Sequence, residues 1–543
     1  MEHRTYLWVH LAIDDIRATL RDSFRPDEES IGSMPSSVEG THEKILARVT
    51  KAQHQKVKLI YQIFIGARRP LAVGEMALAL GLATSKQHRT SKIAQIDPVH
   101  LGKQLRHCCG LFVFANQSRI YLIHQTAREF LIARQDHAYP KSRTHDTWGH
   151  CVQQADMERV MTSICMRYLH LEDREAPSSD ELSTEPSVVG ECQREFIEYC
   201  CQWWATYYSL SQDVGEKDTF QDALALYDTG GKASKFWFDR FWDMTRQHDD
   251  AKSMTPIRLA ALSNHNRVAE YFLHKLGVDV EAKDETGRTA LYWAVELGHG
   301  EIVPMMLEEG SNFEVQGGFC GNALQAASYG GHDKIVHMLL GRGANVNAQG
   351  GHYGNALQAA SAGGHDKIVQ LLLDTGANFN IQGGTFGNAL QAASARGHDE
   401  IVQMLLNSGG RLTARAMFSV LRKNLTTTIR LLLPYVTESV VLGKDTDYGR
   451  TLLHRAAELG RRDLTTRCLD LGAEVDATDK YGETALHYAA ENEHLDIVQI
   501  LVQANADRTI LDSHGRTALE CARGAGPREG RRSYPDIVVY LQQ

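Results

Sequence analysis

From Thr255 onward, apolar and polar positions follow one pattern that keeps returning. In "NALQAAS" the apolar residues Ala323, Leu324 and Ala327 fall at i, i+1 and i+4, one face of a helix. Gly330 and Gly331 then break the chain, because glycine alone enters positive φ without penalty. "DKIVHMLL" sets Ile335, Val336, Leu339 and Leu340 along a second helical face. The pattern predicts a short helix, a glycine turn, a second helix and an extended loop. Its anchor residues are Thr255, Thr289, Asn322, Asn355, Asn388, Thr451, Thr484 and Thr517, spaced 34, 33, 33, 33, 63, 33 and 33 apart. The long interval holds one degraded unit at about 411–443, so nine units run from 254 to 543. Helix pairs this short cannot bury their own apolar faces and must stack on one another.

The front half is patterned differently. "THEKILARVT" and "HQKVKLIYQIFIGA" read as amphipathic helices, "RRPL" as a break, and "VGEMALALGL" and "HLGKQLRHCCG" as two more helices. "LFVFANQ" and "RIYLIHQ" read as paired strands, with Asn116, Gln117 and Ser118 near the turn. Thr126 and Glu129 form a capping box opening "AREFLIAR". Helices closed by a hairpin make residues 40–135 a winged-helix-like domain. Residues 136–250 read as a helical spacer with aromatic helices, and 171–189 as a disordered acidic insert. Those aromatics are expected in its core.

Composition changes the picture in one place. The chain has 543 residues and a net charge of −9, yet residues 40–135 carry 15 Lys/Arg against 4 Asp/Glu. A basic module thus sits in an acidic chain, and it offers Lys103, Arg106 and Arg119 as possible phosphate contacts on a fourth helix and hairpin. The helix ends in "CCG" instead of base-reading side chains, which argues against direct DNA binding. No apolar run reaches the ~20 residues that span a bilayer. Ten scattered cysteines without C-x-x-C read as reduced structural thiols of an intracellular protein, cytoplasmic or nuclear.

The 33-residue period and "TALHYAAENEHLDIVQILVQANAD" (484–507) resemble the ankyrin repeat. Three units depart by placing Asn and Gln where that family prefers Thr and His. The hydrogen-bonding positions are kept, so the fold is expected to survive. "ARRPLAVGEMALAL" and "GLFVFANQSRIYLIHQTAREFL" look like the winged-helix arm of fungal NACHT-type signalling NTPases, and "RTYLWVHLAIDDI" (4–16) resembles the end of their nucleotide domain. Residues 1–39 then read as a remnant helix and linker. No G-x-x-x-x-G-K-[ST] is present to hold phosphate and Mg²⁺. The resemblance implies either a stand-alone derivative or a truncated NTPase gene. The expected fold class is mainly α: a winged helix and helical spacer, followed by an ankyrin-repeat solenoid.

No catalytic motif is found, and no cofactor, metal or small-molecule substrate is expected. "GGKAS" lacks the earlier glycine of a phosphate loop. His332, His365 and His398 recur in G-H-D triplets. Stacked helices lie about 8–10 Å apart, too far for these rungs to share one metal, so the histidines read as turn-stabilising groups. The loop tips "QGGFCGN", "QGGHYGN" and "QGGTFGN" carry Phe319, Tyr353 and Phe386, and later loops carry Tyr448 and Tyr481. These rings either tuck under their own hairpins or form a row facing a protein partner. The reading is a non-catalytic interaction scaffold, with a nuclear transcription co-regulator and a truncated signalling NTPase as the alternatives.

Overall fold

The structure is a computed structural model. It describes residues 40–543 apart from 41, 44–45, 48, 85–96, 110–112, 117, 123–124, 133–147, 172–187, 213–216, 229–230, 246–253, 276–277 and 525–532. The 1–39 segment, nearly all of the acidic insert and the side chain of Arg106 lie outside the described residues. Two compact units, 1–278 and 279–543, divide the chain.

In the front unit, α1 (Lys51–Gly66), α2 (Val73–Thr84) and α3 (Pro98–Cys109) precede a hairpin. Strands β1 (Val113–Asn116) and β2 (Arg119–Leu122) pair antiparallel, Val113 opposite Leu122 and Asn116 opposite Arg119. Ser118 takes the left-handed conformation that so tight a turn requires. Helix α4 spans Gln125–Leu131, so it starts before Thr126 and ends short of the anticipated "AREFLIAR". Helices α5 (Gln154–Leu169), α6 (Val188–Ser211), α7 (Lys217–Tyr227) and α8 (Lys232–Thr245) follow. The aromatics of these helices are core, as the sequence leads one to expect. Trp204 and Trp237 are fully buried, edge to face at 4.9 Å.

The break "RRPL" falls between α1 and α2 as expected, and it is also a hub. The Arg68 amide donates to the hydroxyls of Tyr199 (3.1 Å) and Tyr207 (3.2 Å). Arg69 grips the fully buried Glu75 with two bonds of 2.7 and 2.6 Å, and Glu75 also accepts from the Ala72 amide. Helices α9 (Pro256–Ser263) and α10 (Asn266–Lys275), which open the periodic region, belong to this unit. His265, fully buried, is wedged there between Tyr227 and the Ala205 carbonyl.

The second unit is a stack of helix pairs. Its inner helices are Ala290–Glu296, Ala323–Gly330, Ala356–Gly363, Ala389–Arg396, Ala414–Arg422, Leu452–Glu458, Ala485–Glu491 and Ala518–Ala522. Each packs on the next, and Ala414–Arg422 of the degraded unit packs on both neighbours, so the inner row is unbroken. Alanine makes the close approach possible: Ala326, Ala327, Ala359, Ala360, Ala392 and Ala393 are at most 2% exposed. The outer helices add Ile335, Val336 and Leu339 and their equivalents, each contributing about 1.5–3 kcal/mol on burial.

The Asn–Gln substitution preserves the hydrogen bonding that the sequence leads one to expect. The Asn322 side chain accepts from the Gln325 amide (3.0 Å), and Gln325 Oε1 accepts from the Asn322 amide (2.7 Å). Gln325 Nε2 then donates to the Ala348 and Gly354 carbonyls of the next loop. In the Thr–His units one imidazole does both jobs. His454 Nδ1 accepts from the Thr451 amide (3.1 Å), which leaves Nε2–H to donate to the Glu483 carbonyl (3.0 Å).

The G-H-D histidines close the turns between units. His332, His365 and His398 direct Nε2 to the carbonyls of Glu296, Tyr329 and Ala362. The degraded unit has Leu425 in place of this histidine, and Lys423 Nζ reaches the equivalent Ala395 carbonyl (2.7 Å) instead. Among the described residues no His/Cys/Asp/Glu group could hold a metal ion, and no helix is long and apolar enough to cross a membrane.

Two stability predictions follow from these contacts. Gly331 has φ +76°, and a Cβ there would lie 2.5 Å from the His365 ring, whereas a Cβ on Gly341 meets nothing within 4 Å. Gly331→Ala should cost about 2 kcal/mol or more and Gly341→Ala should be neutral or stabilising, read from urea midpoints. Burial holds the His454 imidazole below its ordinary value, against the Glu483 carbonyl. A depressed folded-state value means stability present at neutral pH and lost as pH falls below the unfolded value of about 6.5. His454→Gln should flatten the fall in melting temperature between about pH 6.5 and 5, because the amide does not titrate.

Candidate partner-binding surface

The loops between units, apart from the short one at 408–413, end in hairpin fingers, and two chemistries build them. In "DETGR", Asp284 Oδ1 accepts from the amides of Thr286 (3.0 Å) and Arg288 (2.9 Å), while Oδ2 takes Arg288 Nε (2.8 Å). Asp512 repeats this with His514 and Arg516. Burial opposes ionisation of both carboxylates, yet these donors hold them below the usual range. The Gln-Gly-Gly fingers are closed by backbone: the amides of Gly317, Gly350 and Gly383 donate to the carbonyls of Gly321, Gly354 and Gly387 (2.9, 2.8 and 2.7 Å). Their glycines are also needed for space. A Cβ on Gly351 would sit 2.1 Å from the Cys320 carbonyl oxygen of the preceding finger.

Successive fingers are joined at the tips. The His352 amide donates to the Phe319 carbonyl (2.8 Å) and the Thr385 amide to the His352 carbonyl (2.9 Å). Further along, Lys480 and Ser513 donate to the carbonyls of Tyr448 and Tyr481 (3.0 and 2.8 Å). The tips are thereby tied to one another, and burial differs between adjacent positions of each turn: Phe319 and Thr385 are exposed, whereas Cys320 and Tyr353 are buried.

That difference divides Phe319, Tyr353 and Phe386 between the two expected arrangements, the tucked ring and the outward one. Phe319 stands three residues before its helix cap, but Tyr353 and Phe386 stand two before theirs. The one-residue offset turns them inward. Phe319 is 56% exposed, whereas Tyr353 is 3% exposed and Phe386 half-buried. Tyr353 is stacked on Tyr329 (4.5 Å) and lies parallel to Phe386 at 6.3 Å. Burial, then the neighbouring Tyr329 hydroxyl, push its phenol above the ordinary value, so it stays neutral. Tyr353 is packing, not a contact surface.

The outward position is filled by Phe319, His352, Thr385, Tyr448, Tyr481 and His514. Phe319 stacks on His352 (4.3 Å), and Tyr448 meets Tyr481 at 6.0 Å. Tyr448 and Tyr481 are 39% and 44% exposed. Sequence reasoning missed His352 and His514, which counting back from each cap residue identifies. It also missed Tyr329, which replaces the alanine (Ala362, Ala395) of its sister units.

The basic front module fares differently. Arg119 donates to the Pro70 carbonyl (3.1 Å) and pairs with Glu195 (3.0 Å), so its guanidinium already has partners within the fold. Lys103 is exposed on α3.

Tyr353→Ala should destabilise the chain by about 3 kcal/mol, the cost of emptying a buried aromatic site. Phe319→Ala should cost under about 1 kcal/mol. Chemical denaturation of the two variants checks the inward and outward assignment.

Residues 233–317, 323–416 and 453–541 match the family model for ankyrin repeats (3 copies). No curated protein matches the chain. Helix pairs, capping boxes and paired fingers agree with that match, and the C-terminal part of the chain is built of ankyrin repeats.

Proposed function

We propose that this protein is a non-catalytic scaffold that holds a protein partner on its ankyrin array. Ankyrin repeats are a protein–protein interaction module, and the observation that carries the reading here is the outward row of rings. Phe319, Tyr448 and Tyr481 remain 56%, 39% and 44% exposed on tips whose backbone is fixed by hydrogen bonds to the next finger. A large ring held in place loses little entropy on binding, which is why aromatics dominate interface energetics.

Affinity capture from native lysate tests this, comparing the full chain with a Phe319→Ser, Tyr448→Ser, Tyr481→Ser variant. The expected result is a partner retained by the wild type and lost by the variant at unchanged melting temperature. Identical capture by both overturns the outward row as the binding surface.

A further inference from the structure

We propose that the finger at Phe386, with the end of the inner helix Ala389–Arg396, docks an acidic, extended peptide segment that carries an aromatic side chain. The inference rests on the array being a protein-binding surface and specifies the chemistry of one part of it.

The first observation is charge. Residues 411–437 carry five Lys/Arg and no Asp/Glu, within a chain of net charge −9. Three exposed cations gather at this finger. The Arg396 guanidinium lies 5.7 Å from the Phe386 ring centroid. Arg415 Nη2 donates to the Thr385 carbonyl (3.0 Å), one residue from Phe386. Lys423 Nζ donates to the Ala395 carbonyl (2.7 Å), one residue from Arg396. Carbonyls accept from two of them and a ring lies under the third, but no carboxylate is paired with any of the three among the described residues. The next cation, Arg422, is the first to have one, Asp447 at 3.7 Å.

The second observation is a missing ring. Tyr353 is covered by Tyr329, which stands 24 residues before it on the preceding inner helix. The residue 24 before Phe386 is the buried Ala362, so Phe386 has Tyr353 parallel to it but no counterpart of Tyr329, and it stays half-buried. An incoming Phe or Tyr would pack on the exposed part of Phe386 and supply the ring contact that Tyr329 gives Tyr353. Its flanking carboxylates would meet Arg396, Arg415 and Lys423, where the guanidinium forks suit them.

The test is fluorescence anisotropy of the full chain with a fluorescein-labelled peptide of Glu-Glu-Phe repeats. Parallel probes carry Lys for Glu or Ala for Phe, and a short duplex DNA is the rival polyanion. Two variants are compared at equal melting temperature: Arg396→Glu with Arg415→Glu, and Ala362→Tyr, which supplies the missing ring from within. The Glu-Phe peptide should bind at low salt, weaken steeply as salt is added, and lose about tenfold or more with either variant. The inference is overturned if the Glu-Phe peptide does not bind, if both variants bind it like the wild type, or if the duplex binds in preference. A partner captured through Phe319, Tyr448 and Tyr481 but indifferent to both variants overturns this inference alone. A peptide that obeys it while the ring-row variant captures everything leaves the site standing and removes the outward row.

Discussion

Neighbouring units of the array are fastened by hydrogen bonds that recur at fixed sequence offsets, and everything else in the second unit depends on that regularity. Gln325, Gln358, His454 and His487 reach a carbonyl 29 residues ahead. His332, His365, His398 and His494 reach one 36 residues behind. Loop bases are tied at 31, as when the Asn345 amide donates to Glu314 and the Asn378 amide to Asn347. Each buried bond is worth about 1 kcal/mol net, but leaving its partner unmade costs more, so a unit of altered length would be penalised at several places together. Apolar burial drives stacking, and these bonds set its register.

The degraded unit shows how the constraint is met when its usual residue is absent. Leu425 cannot donate, and Lys423 reaches the waiting carbonyl from two residues earlier. Thr428 adds a bond to Asp399 (2.5 Å). The inner row continues through a stretch whose sequence has lost the anchor motif, because geometry is conserved by whichever side chain can span the gap.

Much of this was legible in the sequence. Period, helix pairs and glycine turns follow from residue pattern, and the interchange of His and Gln follows from counting donors and acceptors. The hub at Arg68 and Arg69 was not, because its partners Tyr199 and Tyr207 lie more than 130 residues away. Nor does the basic count of the front module say which cations are already paired, and Arg119 is held by Glu195. The finger surface was half legible. An aromatic in each tip was visible, but its direction hinges on a shift of one residue, since the position three before the cap is exposed at Phe319 and the position two before it is buried at Tyr353.

The same fingers separate what must stay constant from what is free to vary. Glycine is imposed at Gly351 and Gly384 by the backbone of the preceding finger, which leaves no room for a Cβ. The outward position beside them is tied into the neighbouring finger mainly through its amide and carbonyl, with a side-chain bond added where Thr385 Oγ1 donates to the His352 carbonyl (3.2 Å), and the chain has placed Phe, His, Thr and Tyr there in different units. A substitution at that position changes what the surface presents while the backbone bonds between fingers stay in place. Recognition in such an array can therefore drift one finger at a time while its stability stands still.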